Sequence, residues 1–172
     1  MAIRMDCGVC VVRSWRVEDA PSLAIYANNR EIWLNLRDQF PHPYGLADAE
    51  AYLRLVSERP NETSFAIEVA GQAVGGVSLR PGHDVERCSA EIGYWLGEPF
   101  WGRGIMTSAV RAVTEYAFDQ LGLTRVFAVP FARNPASSRV LDKAGYEREG
   151  LMRRSAVKDG VILDQYLYAK VR

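Results

Sequence analysis

The sequence predicts a single α/β domain, a mixed β-sheet with helices on both faces, spanning residues 1–172. Three observations predict it. From residue 89 onward, strand-like and helix-like runs alternate: 89–96, 104–121, 125–129 and 134–144. The chain then closes with two long strand segments, 146–157 and 161–171, around Lys158-Asp159-Gly160, and Asp-Gly is a preferred hairpin turn. Finally, 172 residues suit one domain, and a chain of that size buries about two-thirds of its unfolded surface without disulfides or metal.

Taken in order, residues 9–16 read as a first strand. Residues 19–28 form a helix with Ala20, Leu23, Ala24 and Ala27 inward, and residues 30–36 a short second one. Phe40-Pro41-His42-Pro43-Tyr44-Gly45 breaks the pattern. A third helix places Ala49, Tyr52, Leu53 and Val56 on one face and stops at Pro60. Strands at 64–69 and 73–79 flank a turn at Ala70-Gly71-Gln72, and 82–87 is a polar loop. The run 89–96 is the central strand. The helix at 104–121 carries apolar residues at Met106, Ala109, Val110, Val113, Ala117 and Leu121. No internal repeat or low-complexity linker interrupts this series.

Composition narrows the function. With 21 basic and 21 acidic residues the formal net charge is zero, which argues against a dedicated nucleic-acid binder. Arg4 and Asp6 interrupt the apolar character that a secretory signal needs. No apolar run approaches the length of a membrane span. Cys7 and Cys10 form a C-x-x-C without a second pair, and the remaining soft ligands, Cys88, His42 and His83, lie far apart in sequence. The reading is reduced thiols on or near the first strand of a cytoplasmic protein, without metal.

The most informative stretch is Pro99-Phe100-Trp101-Gly102-Arg103-Gly104-Ile105-Met106-Thr107, between the central strand and the long helix. A glycine turn opening a helix offers unpaired N–H groups at the positive end of the helix dipole, a site for a pyrophosphate. The ATP-loop reading weakens, because no G-x-x-x-x-G-K-[ST] occurs. A dinucleotide loop fits poorly. Gly102-x-Gly104 is followed by Thr107 rather than glycine, and the next strand ends at Pro130 with no nearby acidic residue for a ribose. A turn that merely lets strand meet helix is the alternative.

A second motif points to one guest. In Asn134-Pro135-Ala136-Ser137-Ser138-Arg139-Val140-Leu141-Asp142-Lys143-Ala144-Gly145-Tyr146, Asn134 reads as N-cap, Pro135 as the first helical residue and Gly145 as the stop. Ser137, Val140, Leu141 and Ala144 share one face. This pair of motifs resembles the GNAT N-acetyltransferase superfamily. The Gly102–Thr107 turn is similar to its acyl-CoA pyrophosphate loop, Q/R-x-x-G-x-G/A, and Asn134–Tyr146 to its N-x-x-S-x-x-x-x-K-x-G-F signature. Val12-Arg13-Ser14-Trp15-Arg16-Val17-Glu18-Asp19-Ala20 and His42-Pro43-Tyr44 resemble the RimJ/RimL-like branch of ribosomal-protein N-terminal acetyltransferases. The resemblance covers roughly residues 9–170. Trp101 and Met106 depart from the general pattern, and Tyr146 replaces Phe.

The resemblance implies a splayed GNAT sheet with acetyl-CoA as co-substrate. Backbone groups near Trp95 and Leu96 would bind pantetheine and polarise the acetyl carbonyl. N–H groups of Gly102, Arg103, Gly104, Ile105, Met106 and Thr107 would hold the pyrophosphate. Asn134 would hydrogen-bond the pantetheine arm, and Ser137 would stand near the sulfur as proton donor to the leaving thiolate. Ala156 occupies the place where the RimL-like branch carries a base Glu. Glu91 on the central strand is the alternative base, acting through water, or else a carboxylate paired with a neighbouring Arg. Trp33, Asn35 and Arg37 fall on the acceptor side, where Trp33 reads more readily as core. Tyr44, Tyr94 and Trp95 line the acceptor slot or fill the sandwich. The expected reaction is acetyl transfer to a primary amine, with a protein N-terminal α-amine preferred. A small amine acceptor and a non-catalytic acyl-CoA-binding module are the alternatives. Relatives of this kind are commonly homodimers.

Overall fold

The computed structural model describes residues 2–58 and 63–172. Its elements in chain order are β1 (Arg4–Asp6), β2 (Val11–Ser14), α1 (Ala20–Ala27), α2 (Arg30–Trp33), α3 (Leu46–Ser57), β3 (Ser64–Val69), β4 (Gln72–Pro81), β5 (Ser89–Leu96), α4 (Ile105–Asp119), β6 (Arg125–Ala128), α5 (Pro135–Ala144), β7 (Glu147–Lys158) and β8 (Val161–Val171). One eight-stranded sheet has the order β1-β2-β3-β4-β5-β6-β8-β7. All neighbours are antiparallel except β5 and β6.

Side-chain alternation along each strand divides the core into two layers. On one face, Val12, Phe65, Val77, Ile92 and Leu96 pack under α4 and α5 through Ile105, Ala109, Val110, Val113 and Leu141. On the other, Ala20, Leu23 and Ala27 of α1 pack with Ala49 and Leu53 of α3, and Trp15 and Trp95 close that layer. Arg13, 2% exposed, ties β2 to the start of α1 by a bidentate pair with Asp19, both contacts at 2.8 Å, and to β3 through Glu68 at 2.5 Å.

Several boundaries differ from the sequence reading. The expected first strand, 9–16, is instead the second. The chain already pairs at Arg4–Asp6 and reverses at Gly8, which adopts φ +75° while Val9 N–H bonds Cys7 C=O at 2.9 Å. The second helix ends at Trp33, since residues 35 and 36 bond back three residues rather than four. The polar loop at 82–87 holds a 3₁₀ turn over Asp84–Glu86. The helix expected at 104–121 runs Ile105–Asp119, and its buried face also includes Thr114 and Phe118. The expected stop at Pro60 lies outside the described residues. Both expected hairpin turns take two residues at positive φ, Ala70-Gly71 and Asp159-Gly160, the geometry that matches strand twist.

The β5–β6 pair creates the site. Pairing runs from Ser89↔Arg125 to Glu91↔Phe127 and stops. Residues 92–96 of β5 therefore have no strand partner on that side. Hydrogen bonds at both ends of the β4–β5 ladder, Gly82 N–H to Ser89 C=O and Gly97 N–H to Val74 C=O, assign the odd-numbered residues of β5 to β4. The N–H and C=O groups of Tyr94 and Leu96 consequently face the gap.

Candidate active site

The splay opens into a cleft of about 1300 Å³ that crosses the sheet between β5 and β6. It is bounded by the start of α4, by α5, by the loop following α2, and by the end of β7. Side chains from opposite faces of β5 meet there. Tyr94 points toward α5, whereas Glu91 and Trp95 point toward α1 and α3, and Gly93 between them leaves the surface open.

The turn before α4 is preorganised. Gly102 and Gly104 adopt φ +74° and +75°, and Gly104 is the N-cap of α4 without any side-chain cap. The first helical bond is Ser108 N–H to Gly104 C=O. The N–H groups of Ile105, Met106 and Thr107 are thus left for a ligand at the positive end of a 15-residue helix. Met106, one of the two departures from the family pattern, buries its side chain and still presents its N–H. Trp101, the other departure, donates its indole N–H to Leu96 C=O at 2.6 Å and fastens the turn to the end of β5. Arg103 lies over Phe100 at 5.6 Å, exposed at the mouth.

One sequence expectation changes here. The backbone of Trp95 faces β4 rather than the gap, because odd-numbered residues of β5 complete that ladder. Its indole instead packs with Phe40 at 5.8 Å on the α1/α3 face. Leu96 faces the gap, but its carbonyl is engaged by Trp101. The strand groups left open to the cleft are the N–H and C=O of Tyr94 and the N–H of Leu96.

On the α5 side, Asn134 accepts Ser137 N–H at 3.2 Å and caps the helix, so its amide NH₂ is directed outward from the cap. Ser137 Oγ lies 2.8 Å from Tyr94 Oη. Burial pushes the Tyr94 phenol well above its ordinary range, so it is a neutral O–H at any physiological pH. The sequence reading left Tyr94 between lining and filling. Its alternation with Ile92 and Leu96 was the available signal, since it points all three toward α5.

On the opposite face, Glu91 accepts a hydrogen bond from Arg37 at 2.5 Å and has Arg80 at 3.9 Å. Ala156 lines the cleft and offers no titratable group. Trp33 does not line it. It stacks on His42 at 5.7 Å and receives the Lys158 ammonium at 3.9 Å. That ammonium, almost fully buried, also pairs with Asp38 at 2.8 Å, and Arg30 pairs with Asp159 at 2.8 Å. The tip of the β7–β8 hairpin is thereby tied to α2 and to the loop that follows it. Among the described residues no group of three or more His, Cys, Asp or Glu could hold a metal, and no helix is long and apolar enough to cross a membrane.

Residues 10–147 match the acetyltransferase (GNAT) domain, and the chain belongs to the GNAT family. It carries an acetyl-CoA-dependent N-acetyltransferase domain. The probable N-acetyltransferase YjcK of Bacillus subtilis is 40% identical over 65% of this chain and 63% of its own length. The ribosomal-protein-serine acetyltransferase of Escherichia coli is 28% identical over 68% of this chain and 65% of its own. The chain thus spans just under two-thirds of these two relatives. The solved structure of Mycobacterium smegmatis RimJ in complex with CoA-disulfide is 25% identical, with a TM-score of 0.84 over 99% of this chain and 86% of that one.

Proposed function

We propose that this chain acetylates protein N-terminal α-amines. The observation that carries the reading is the hydroxyl pair Tyr94–Ser137, 2.8 Å apart on one face of the splayed strand, with Glu91 on the other. Pyrophosphate rests on the N–H groups of residues 102–107, and pantetheine enters the gap along Tyr94, Leu96 and Asn134. The amine nitrogen approaches from the Glu91 face and attacks the thioester carbonyl. As the C–S bond breaks, charge collects on sulfur. Ser137 donates its hydrogen bond to that thiolate while Tyr94, held protonated by burial, donates to Ser137 Oγ. The ribosomal-protein acceptor named for the Escherichia coli relative supports the choice of substrate class. The three free cysteines suit a cytoplasmic setting.

The lack of a strong base fits the same acceptor. An α-amine titrates near 7.7–8.0 and a lysine near 10.4, so at neutral pH about two to four hundred times more of the former is unprotonated. A peptide with a free α-amine should therefore exceed the same peptide, N-terminally blocked and bearing a lysine, by roughly two orders of magnitude in kcat/KM. Equal rates would defeat the assignment.

Glu91 takes the amine proton through water, positioned by Arg37. Glu91→Gln should lower acceptor kcat/KM by about 3–10-fold at pH 7, with the deficit shrinking toward pH 9 as the amine deprotonates unaided. A loss independent of pH would mean that the carboxylate serves only to hold Arg37.

A further inference from the structure

We propose that Cys7 and Cys10 form a redox-modification site, a dithiol that closes reversibly to a disulfide and whose state is read at the start of α4. The two residues are the last pair of the β1–β2 hairpin. The register Arg4↔Arg13, Met5↔Val12, Asp6↔Val11 extends to Cys7 opposite Cys10, whose carbonyl accepts Cys7 N–H at 2.9 Å. Directly opposed side chains share a face. Opposed Cα atoms in a hydrogen-bonded pair stand about 5.5 Å apart, inside the range a disulfide spans. Both thiols face the α4 layer: Cys10 is part of that core and Cys7 packs against it, half-buried.

Their chemistry is asymmetric. The adjacent Cys10 thiol draws the Cys7 thiol down to about 7 against the effect of burial, and Cys10, beside Cys7 and buried in the core, is pushed up. Cys7 is then the attacking thiolate and Cys10 the resolving thiol. Cys7 sulfur attacks a small-molecule disulfide RSSR, expelling RS⁻, which takes a proton. Cys10 loses its proton and displaces the second RS⁻ from Cys7. The net change is one protein disulfide and two RSH, with the protein oxidised and RSSR reduced.

The link to the cofactor loop is one contact. Cys10 Sγ donates to the carbonyl of Ile105 at 3.9 Å, and Ile105 is the first residue of α4, directly after Gly104. Disulfide closure removes that donor and draws the sulfur toward the hairpin.

The test uses the full chain with Cys88→Ser, which removes the exposed third thiol. The reduced protein is first titrated with acetyl-CoA, so that cofactor binding itself is established separately. Treatment with oxidised glutathione should then remove two thiols, lower the intact mass by two hydrogens without an adduct, and raise the acetyl-CoA Kd about 2–10-fold. Dithiothreitol should reverse all three. Unreacted thiols or a persistent glutathione adduct overturn the site. A disulfide with unchanged Kd overturns its link to α4. Cys7→Ser in the same background should lose both responses, and a glutathione-dependent Kd shift there would place the effect elsewhere.

Discussion

Ser137→Ala is expected to lower kcat by roughly 10–10³-fold with little change in acetyl-CoA affinity, because a hydrogen bond to the departing sulfur strengthens only as charge develops. The variant keeps the helix intact, since its N–H still meets Asn134 and the hydroxyl makes no capping contact. Tyr94→Phe removes the outer member of the pair and should cost less, about 3–10-fold, as one neutral hydrogen bond removed from the relay. Single-turnover measurements are required, so that product release does not mask chemistry. Full activity in Ser137→Ala would leave Asn134 and the strand backbone as the whole machinery. A Tyr94→Phe effect that persists in the Ser137→Ala background would show that Tyr94 acts independently of Ser137.

Gly104→Val should raise the acetyl-CoA KM strongly while leaving the acceptor KM nearly unchanged. A Cβ added at Gly104 meets no protein atom within 4 Å, so crowding inside the protein is not the cause. The cause is its φ of +75°, which a β-branched residue resists at a cost of about 1–2 kcal/mol or more. The turn relaxes toward negative φ, and the three N–H groups of residues 105–107 lose their common aim. Thermal stability reads this directly. In the parent protein, acetyl-CoA at about a hundred times its Kd should add roughly 2.7 kcal/mol, with little from NAD or ATP. The Val variant should lose most of that gain. Unchanged cofactor affinity in a folded variant would mean that the turn is structural only.

The features legible in the sequence were those written by local chemistry. Asp159-Gly160 set its own hairpin, Asn134 and Pro135 opened α5 where their capping preference places them, and the apolar spacing of α4 was correct to within two residues. Features arising between elements were harder to read. The backbone direction of Trp95 depends on which strand it pairs with, and the β4 ladder decides that. The partnership of Tyr94 with Ser137 spans 43 residues, and that of Glu91 with Arg37 spans 54. Neither spacing leaves a trace in periodicity. The short strand Arg4–Asp6 escaped because three residues carry too little alternation to register, whereas the turn at Gly8 makes it visible in three dimensions.

The acceptor is tested most directly by incubating the protein with a cell extract and isotopically labelled acetyl-CoA, then locating the label by mass spectrometry. The account predicts label on the α-amine of protein N-termini, dependent on Ser137. Label confined to lysine side chains or to small amines, with protein N-termini unmodified, would contradict it.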